Sequence, residues 1–306
     1  MMRVVKAGLL TTIQDSGRRG FQNFGVPVAG PMDQASHRLA NLLVNNRRSA
    51  ATLEITLLGP DLEFEQSCVF AVGGARFDLR LNNRQITQNT SYLARCGETL
   101  SFGRCLAGAR AYLAVGGGFS VPPVFGSRAT HVGSHMGGLK GRALLAGDLL
   151  SIGDLSAGQA RAGESRLSPF AVQGNGARVR VVVGPHDGLF AFDSLDVLRT
   201  SRYMVTPDSD RMGYRLAGKP LGFRGRVNLI STALPVGSLQ VTPSGQPIIL
   251  MADHQTTGGY PRIATVISAD LPMVGQLAPS AWIEFAICDP QSALTALIRQ
   301  ERMLLA

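Results

Sequence analysis

Short runs in which apolar and polar residues alternate dominate the chain. In residues 53–57, leucine and isoleucine alternate with Glu54 and Thr56, and residues 77–82 repeat the pattern. Similar runs lie between glycine, asparagine and proline residues at 110–115, 179–183, 246–251 and 282–287. A period of two is typical of β-strands, and many short strands separated by turns favour β-barrels or sandwiches. The sequence therefore predicts a mainly β protein whose 36 glycines serve mostly turns and bulges.

Three segments have the spacing of helices instead. Residues 32–44 place five apolar side chains on one face, and residues 189–198 carry apolar residues at compatible positions. The third helix is C-terminal, where Asp289 can cap the first turn and Pro290 suits its start. We therefore expect few helices, each of them short.

Residues 154–176 are rich in glycine, serine and alanine and show little periodicity. Such a stretch is typical of a linker. We therefore expect an N-terminal β-barrel domain at residues 1–160 and a C-terminal β-barrel domain, ending in a helix, at residues 161–306.

The net charge of +9 does not indicate nucleic acid as a partner. Basic residues number 30 against 21 acidic ones, but 27 of them are arginines scattered along the chain. Nucleic-acid and membrane surfaces require clustered charge, which the sequence lacks. We expect no nucleic-acid partner and no membrane association.

The four cysteines, Cys68, Cys96, Cys105 and Cys288, are widely separated and form no CxxC pair. This spacing favours neither a zinc site nor a disulfide framework and is typical of a reducing compartment. The N-terminus has no signal-peptide pattern, and no apolar run is long enough to span a membrane. We expect a cytoplasmic protein.

Four loops concentrate polar side chains among glycines, at residues 11–30, 131–141, 206–218 and 252–263. Loops of this kind on a rigid scaffold are common binding surfaces. The candidate residues in the first, third and fourth loops are Asp15, Arg18, Arg19, Arg211, Tyr214, Asp253, Gln255, Thr256, Thr257, Gly258, Gly259, Tyr260 and Arg262.

Each loop also has a purely structural interpretation. Asp15 can form a side-chain-to-backbone turn, and Arg19 can be exposed to solvent. Residues 252–263 can form a hairpin turn. Residues 131–141 suit either a backbone nest for an anion, with Lys140 as a point charge, or a structural hairpin. Gly133 between His131 and His135, with further glycines just after them, disfavours a helix there, so we expect no metal site.

Several common catalytic motifs are absent from the sequence. It contains no GxSxG, no Walker A loop and no GxGxxG that follows a strand and opens a helix. The residues alone therefore favour neither acyl-enzyme catalysis nor dinucleotide chemistry.

Longer motifs give a more specific indication. They are GLLTTIQDSGRRGFQNFGVPVAGPMD, RLANLLV, LEITLLGP, SDRMGYRL and GQPIILMADHQTTGGYPRIATVISADLP. With these motifs the chain resembles the allophanate hydrolase subunit 2 family, also called the biotin-dependent carboxyltransferase-like or KipI-antagonist family. The resemblance extends over nearly the whole chain, from about Lys6 to Phe285.

This resemblance implies two cyclophilin-like β-barrels and a cleft shared with a KipI-like subunit 1. For a chain of this length it implies the C subunit of a prokaryotic 5-oxoprolinase. That enzyme also needs a third, LamB/YcsF-type subunit, and it uses ATP to open 5-oxo-L-proline to L-glutamate. ATP then belongs to the complex, with its location among the subunits open, and no biotin is attached to this chain.

Lactam opening requires groups that orient water and donors that bind anions. The expected catalytic residues are Asp15, Arg211, Tyr214 and Asp253. The expected residues for binding a small acidic or amide substrate are Arg18, Arg19, Gln255, Thr256, Thr257, Gly258, Gly259, Tyr260 and Arg262.

Two other functions remain open. The sequence is also compatible with a carboxyltransferase-type subunit of a urea carboxylase or allophanate hydrolase-like system. It is compatible as well with a non-catalytic antagonist that binds a KipI-like kinase inhibitor.

Overall fold

The structure, a computed structural model, describes residues 1–153, 162–166 and 175–305. The chain divides into two compact units. Unit 1 comprises Met1–Arg18 and Ala29–Gly174, and unit 2 comprises Arg19–Val28 and Asn175–Ala306. The boundary expected between residues 160 and 161 lies outside the described residues. The segment Arg19–Val28 groups with unit 2, which the sequence pattern does not indicate.

Unit 1 is a curled, nine-stranded sheet with one α-helix. The strands are β1 (Met2–Lys6), β2 (Leu10–Gln14), β3 (Thr52–Thr56), β4 (Asp61–Phe64), β5 (Cys68–Leu81), β6 (Arg84–Ile86), β7 (Ser91–Ala94), β8 (Thr99–Val115) and β9 (Leu149–Leu150). They run in the order β2-β3-β8-β4-β1-β9, and β5 pairs with β6, β7 and β8. The helix, α1, covers Gln34–Leu43.

The alternation in residues 53–57 and 77–82 correctly predicts β3 and the last part of β5. Leu53 and Ile55 are fully buried in an apolar core that also contains Phe77 and Leu79. The predicted helix at 32–44 is confirmed as α1, which begins after Asp33 because that carboxylate accepts the Ser36 backbone N–H at 2.9 Å.

Unit 2 is built around a closed barrel of seven strands. They are β10 (Gly176–Val183), β11 (Tyr203–Val205), β12 (Gly213–Ala217), β14 (Ser238–Val241), β15 (Pro247–Leu250), β17 (Arg262–Val266) and β18 (Trp282–Ile287). Two further strands, β13 (Thr232–Ala233) and β16 (Thr257–Gly258), form a separate ribbon. The barrel order is β10-β17-β14-β15-β12-β11-β18, and it closes through a parallel pairing of β18 with β10. The prediction of a mainly β protein with a few helices is confirmed.

Unit 2 carries three α-helices, α2 (Ser194–Thr200), α3 (Leu271–Gly275) and α4 (Pro290–Leu305). The predicted C-terminal helix is confirmed, with Asp289 accepting the Ser292 N–H at 2.9 Å. The helix predicted at 189–198 is wrong in its first half. There Phe190 forms a β-bridge with Phe223, and the Ala191 N–H donates to the Gly222 carbonyl. This extended pairing overrides the helical spacing.

Among the described residues, no helix is both long and apolar enough to cross a lipid bilayer. Within the same residues, no three histidine, cysteine, aspartate or glutamate side chains are grouped as a metal site. All four cysteines are free thiols, and burial raises the pKa of Cys68 to about 12.

Candidate functional site

A cleft of about 680 Å³ lies in unit 2, next to the β13–β16 ribbon. One wall is the segment 225–229, which precedes β13. The cleft is also lined by Gln240 and Val241 of β14 and by residues of the segment from Gln255 to Pro261. The walls are largely apolar and contain a few polar groups, as in many small-molecule sites.

Four of the predicted substrate-binding residues line this cleft: Gln255, Gly258, Gly259 and Tyr260. Thr256 and Thr257 belong to the same segment, with Thr257 at the start of β16, and the Thr256 carbonyl accepts the backbone N–H of Leu234 at 3.0 Å. The fourth polar loop of the sequence therefore contributes to the cleft while its backbone also holds the ribbon in place.

The glycine pair has a clear packing role. A Cβ on Gly258 would lie 2.7 Å from Leu234 Cδ1 and 3.1 Å from Gln240 Nε2, and one on Gly259 would lie 3.2 Å from the Leu229 carbonyl. Real side chains do not tolerate the first of these distances. The two glycines allow residues 229–234 to approach the loop closely, and anion binding by their amides stays a prediction.

Arg211 and Asp253 are brought together in unit 2. Nε and Nη2 of Arg211 donate to the two carboxylate oxygens of Asp253, each at 2.9 Å, and both side chains are buried. Arg211 precedes β12 and Asp253 follows β15, and these strands are neighbours in the barrel. The ion pair therefore links the ends of two adjacent strands.

Tyr214 is also buried, and its hydroxyl donates to the Leu277 carbonyl at 3.2 Å. Neither Tyr214, Arg211 nor Asp253 is among the residues that line the cleft. Their predicted catalytic roles stay predictions, while their visible contacts hold the barrel together.

Arg262 lies on β17, opposite Gln240 of β14. Its backbone N–H donates to Nδ1 of His186 at 3.1 Å, which places the proton of the neutral ring on Nε2. Partial burial, and then the Arg262 charge, lower the pKa of His186 below its ordinary value. Arg262 is not one of the cleft residues, although it directly follows Pro261, which is.

The candidates of the first loop are divided between the units. In unit 1, the Asp15 carboxylate accepts hydrogen bonds from the Gly17 N–H at 2.9 Å and from Ser127 and Arg128 at 2.5 Å. Arg18 is buried and donates to the Ala129 carbonyl. These contacts join two loops of unit 1. Arg19 is exposed and belongs to unit 2.

Residues 131–141 form a hairpin in which His131 bridges Met136. The His131 ring bonds to Ser134, and no space remains for a Cβ on Gly137 or Gly138, which press against residues 129 and 130. The glycines of this loop therefore serve close packing, in line with the structural interpretation.

A sequence profile of the family described as carboxyltransferase domain, subdomain A and B, matches residues 24–287. The chain belongs to this family. The matched range contains the whole cleft, whereas Asp15, Arg18 and Arg19 precede it.

Two relatives match the chain over nearly the whole of their own length. The chain is 40% identical to the C subunit of 5-oxoprolinase from Escherichia coli (strain K12), over 99% of this chain and 96% of the relative. It is 35% identical to the C subunit of 5-oxoprolinase from Haemophilus influenzae, over 96% of this chain and 93% of the relative.

The chain also superposes on a crystal structure of the K. lactis urea amidolyase, with a TM-score of 0.93 and 32% identity. The match covers 99% of this chain but only 20% of the urea amidolyase chain. In that relative, the fold of this chain is therefore one part of a much longer polypeptide.

This carboxyltransferase-family chain contains a buried polar cluster that the sequence does not reveal. Glu54 is 1% exposed, and one of its oxygens accepts the Tyr112 hydroxyl and the Met32 N–H, each at 2.8 Å. The Tyr112 hydroxyl in turn accepts the Asp33 N–H at 2.7 Å. The cluster joins β3 and β8 to the start of α1.

His37 of α1 belongs to the same buried region of unit 1. Its Nδ1 lies 2.9 Å from the Thr52 hydroxyl, and its ring meets that of Tyr112 edge-on at 6.1 Å. Burial lowers the pKa of His37 to about 4, although the Asp15 and Glu54 carboxylates oppose the shift. His37 is therefore neutral at pH 7.

Proposed function

We propose that this chain is the C subunit of an ATP-dependent 5-oxoprolinase, which opens 5-oxo-L-proline to L-glutamate. The observation that carries the proposal is the end-to-end match with the E. coli protein of that name, at 40% identity. The name of that relative implies other subunits. The proposal includes a KipI-like subunit, a LamB/YcsF-type subunit and activity only in the complex.

The chemistry explains why ATP belongs to the proposal. A five-membered lactam is an unstrained amide, and its carbonyl carbon is a poor electrophile. Transfer of a phosphoryl group from ATP to the amide oxygen would make that carbon reactive toward water. Attack by this water and cleavage of the ring C–N bond would give γ-glutamyl phosphate. Its hydrolysis by a second water completes the release of glutamate, ADP and phosphate. A cytoplasmic location, where ATP is available, follows from the same proposal.

The cleft of unit 2 is the proposed substrate site in this chain. Its volume of about 680 Å³ exceeds that of a single small lactam, and its apolar walls suit the ring methylene groups. Gln240, Gln255 and Asn228 supply amide groups, and Arg226 supplies a positive charge for a substrate carboxylate. Gly258 and Gly259 allow the ribbon to approach closely enough to form the wall.

Reconstitution tests the proposal. The chain, its KipI-like partner and its LamB/YcsF-type partner are purified separately and mixed with 5-oxo-L-proline, with or without ATP. We expect glutamate only when all three proteins and ATP are present, with equal amounts of ADP and glutamate. A folded three-protein complex that releases no glutamate contradicts the proposal. Equilibrium ATP binding to each of the separate proteins identifies which of them holds the nucleotide.

Carboxyl transfer to a urea-like amide is the second candidate. The TM-score of 0.93 to a urea amidolyase favours it, as does the description of the family. The same purified chain is then mixed with a biotinylated carrier, its carboxylase, bicarbonate, ATP and urea. Labelled carboxyl groups on urea, with no glutamate from 5-oxoproline, would replace the first proposal. Tight binding to the KipI-like partner without any turnover would favour a purely binding role.

A further inference from the structure

Gln240 is a buried polar residue on the wall of the unit 2 cleft. It lies on β14 with 2% of its surface exposed, and its neighbours across the sheet are Ile248 and Arg262. A buried carboxamide in a barrel strand requires partners for both of its ends. Its environment therefore indicates what the cleft binds.

The two ends of the Gln240 carboxamide differ. Nε2 donates to the Tyr260 carbonyl at 3.2 Å. Among the residues that the structure describes, Oε1 has no hydrogen-bond donor, it is not one of the fully enclosed polar atoms, and Gln240 lines the cleft. Gln240 thus presents an acceptor to whatever occupies the cleft.

The Tyr260 carbonyl fixes this orientation. If the carboxamide turned over, Oε1 would face the carbonyl oxygen, and two acceptors would meet. Gly258 packs against the same amide, since a Cβ there would lie 3.1 Å from Nε2. Gln240 therefore offers an acceptor of fixed orientation.

We propose that Gln240 Oε1 accepts the ring N–H of a cyclic secondary amide and so makes this cleft select lactams over the corresponding lactones. Arg226, on the segment 225–229 that also lines the cleft, binds the carboxylate of the same ligand. This inference rests on the proposed function, because that function supplies a lactam with a carboxylate. Gln240 is a specificity-determining residue in this scheme and takes no part in bond cleavage.

The chemistry of the two ligands predicts the size of the effect. A lactone has a ring oxygen where the lactam has N–H, so it would leave Oε1 unpaired and facing another acceptor. Sites built to bond a substrate N–H or O–H reject analogues that lack it, and one such contact corresponds to about a tenfold to 100-fold preference.

The test is a titration of the full chain and of the assembled complex with two probes. The probes are 5-oxo-L-proline and 5-oxotetrahydrofuran-2-carboxylate, which differ only in the ring N–H. We expect the wild type to bind the lactam at least about tenfold more tightly. In Gln240→Met the preference should disappear, through weaker lactam binding and unchanged or tighter lactone binding.

Gln246→Met is the matched control. The Gln246 carboxamide exchanges hydrogen bonds at 3.1 Å with the Gly218 backbone, and Gln246 is not one of the cleft residues. Its loss removes two carboxamide hydrogen bonds outside the cleft and should leave the lactam preference intact. A loss of the preference in Gln240→Met alone therefore separates recognition from a structural role.

Three results overturn the inference: equal binding of lactam and lactone, no binding of the lactam to either preparation, or a preference that survives in Gln240→Met. Glutamate release by a complex that shows one of these results leaves the proposed function standing. A lactam preference that depends on Gln240, in a complex without ATP-dependent turnover, contradicts the proposed function and supports the inference.

Discussion

Arg211 and Asp253 form a buried, bidentate ion pair that links the start of β12 to the end of β15. Both nitrogen–oxygen distances are 2.9 Å, and each side chain is 6% exposed. The Asp253 backbone N–H also donates to the Arg211 carbonyl at 2.8 Å. The two residues therefore extend the contact between β12 and β15 beyond the strand ends, through a backbone hydrogen bond and through the side-chain ion pair.

Replacement of one partner should cost more than replacement of both. Arg211→Met leaves the Asp253 carboxylate buried without its cation, so we expect the free energy of unfolding of unit 2 to fall by about 3–5 kcal/mol. The double variant Arg211→Met, Asp253→Leu should recover part of that loss. Urea denaturation of the full chain measures both.

Arg199→Met is the control for this pair. Arg199 is bonded to Asp196 at 2.7 Å on the exposed surface of α2, and its loss should cost less than about 1 kcal/mol. If Arg211→Met is as stable as this control, the buried pair does not hold the barrel together. If the double variant is folded but inactive in the complex, Arg211 or Asp253 has the catalytic role expected from the sequence.

Gly258→Ala should damage the cleft through packing. The added Cβ would lie 2.7 Å from Leu234 Cδ1 and 3.1 Å from the Gln240 amide, so the Leu234 side chain, the glutamine or the ribbon must shift. We expect a loss of about 1–3 kcal/mol in stability and weaker lactam binding. Gly188→Ala is the matched control, because nothing lies within 4 Å of its Cβ. Equal lactam affinity in both variants would show that the close approach at Gly258 has no bearing on the cleft.

Local signals predict the elements of this fold better than its buried polar contacts. Asp289 and Pro290 mark the start of α4 because a cap and a first-turn proline act within one turn of chain. The helix expected at 189–198 begins only at Ser194, because Phe190 pairs with Phe223, more than 30 residues along the chain. No local pattern contains that pairing.

The candidate site shows the same contrast between local sequence signals and long-range packing. The fourth loop is visible in the sequence as a dense polar stretch, and four of its residues line the cleft. Gln240 gives no such signal, because a single glutamine in an apolar strand has no spacing or motif. Alternation suggests that Glu54 faces solvent, yet α1 covers that face of β3 and leaves Glu54 1% exposed. Both residues owe their environment to long-range packing.

Tyr112→Phe tests the buried cluster of unit 1. The hydroxyl joins Glu54 to the Asp33 N–H, with bonds of 2.8 and 2.7 Å, and the ring has no exposed surface. Its removal leaves a buried N–H without this acceptor and Glu54 without one donor, so we expect a loss of about 1–3 kcal/mol. Tyr92→Phe removes a hydroxyl bonded to Thr87 in an exposed setting and should cost less. Similar melting temperatures for the two variants would contradict a stabilising role for the cluster.

His37 should make unit 1 sensitive to acid. Its pKa is lowered to about 4 by burial, whereas the unfolded chain has the ordinary value of 6.5. The unfolded state therefore binds a proton at a higher pH than the folded state does, and stability should fall as the pH drops from 6.5 toward 4. The full shift corresponds to about 3 kcal/mol. Urea denaturation of the wild type and of His37→Gln at several pH values measures the effect. The variant should be less stable at pH 7 but should lose less stability on acidification. A wild type and variant with parallel pH profiles would show that His37 is not the group whose protonation destabilises unit 1.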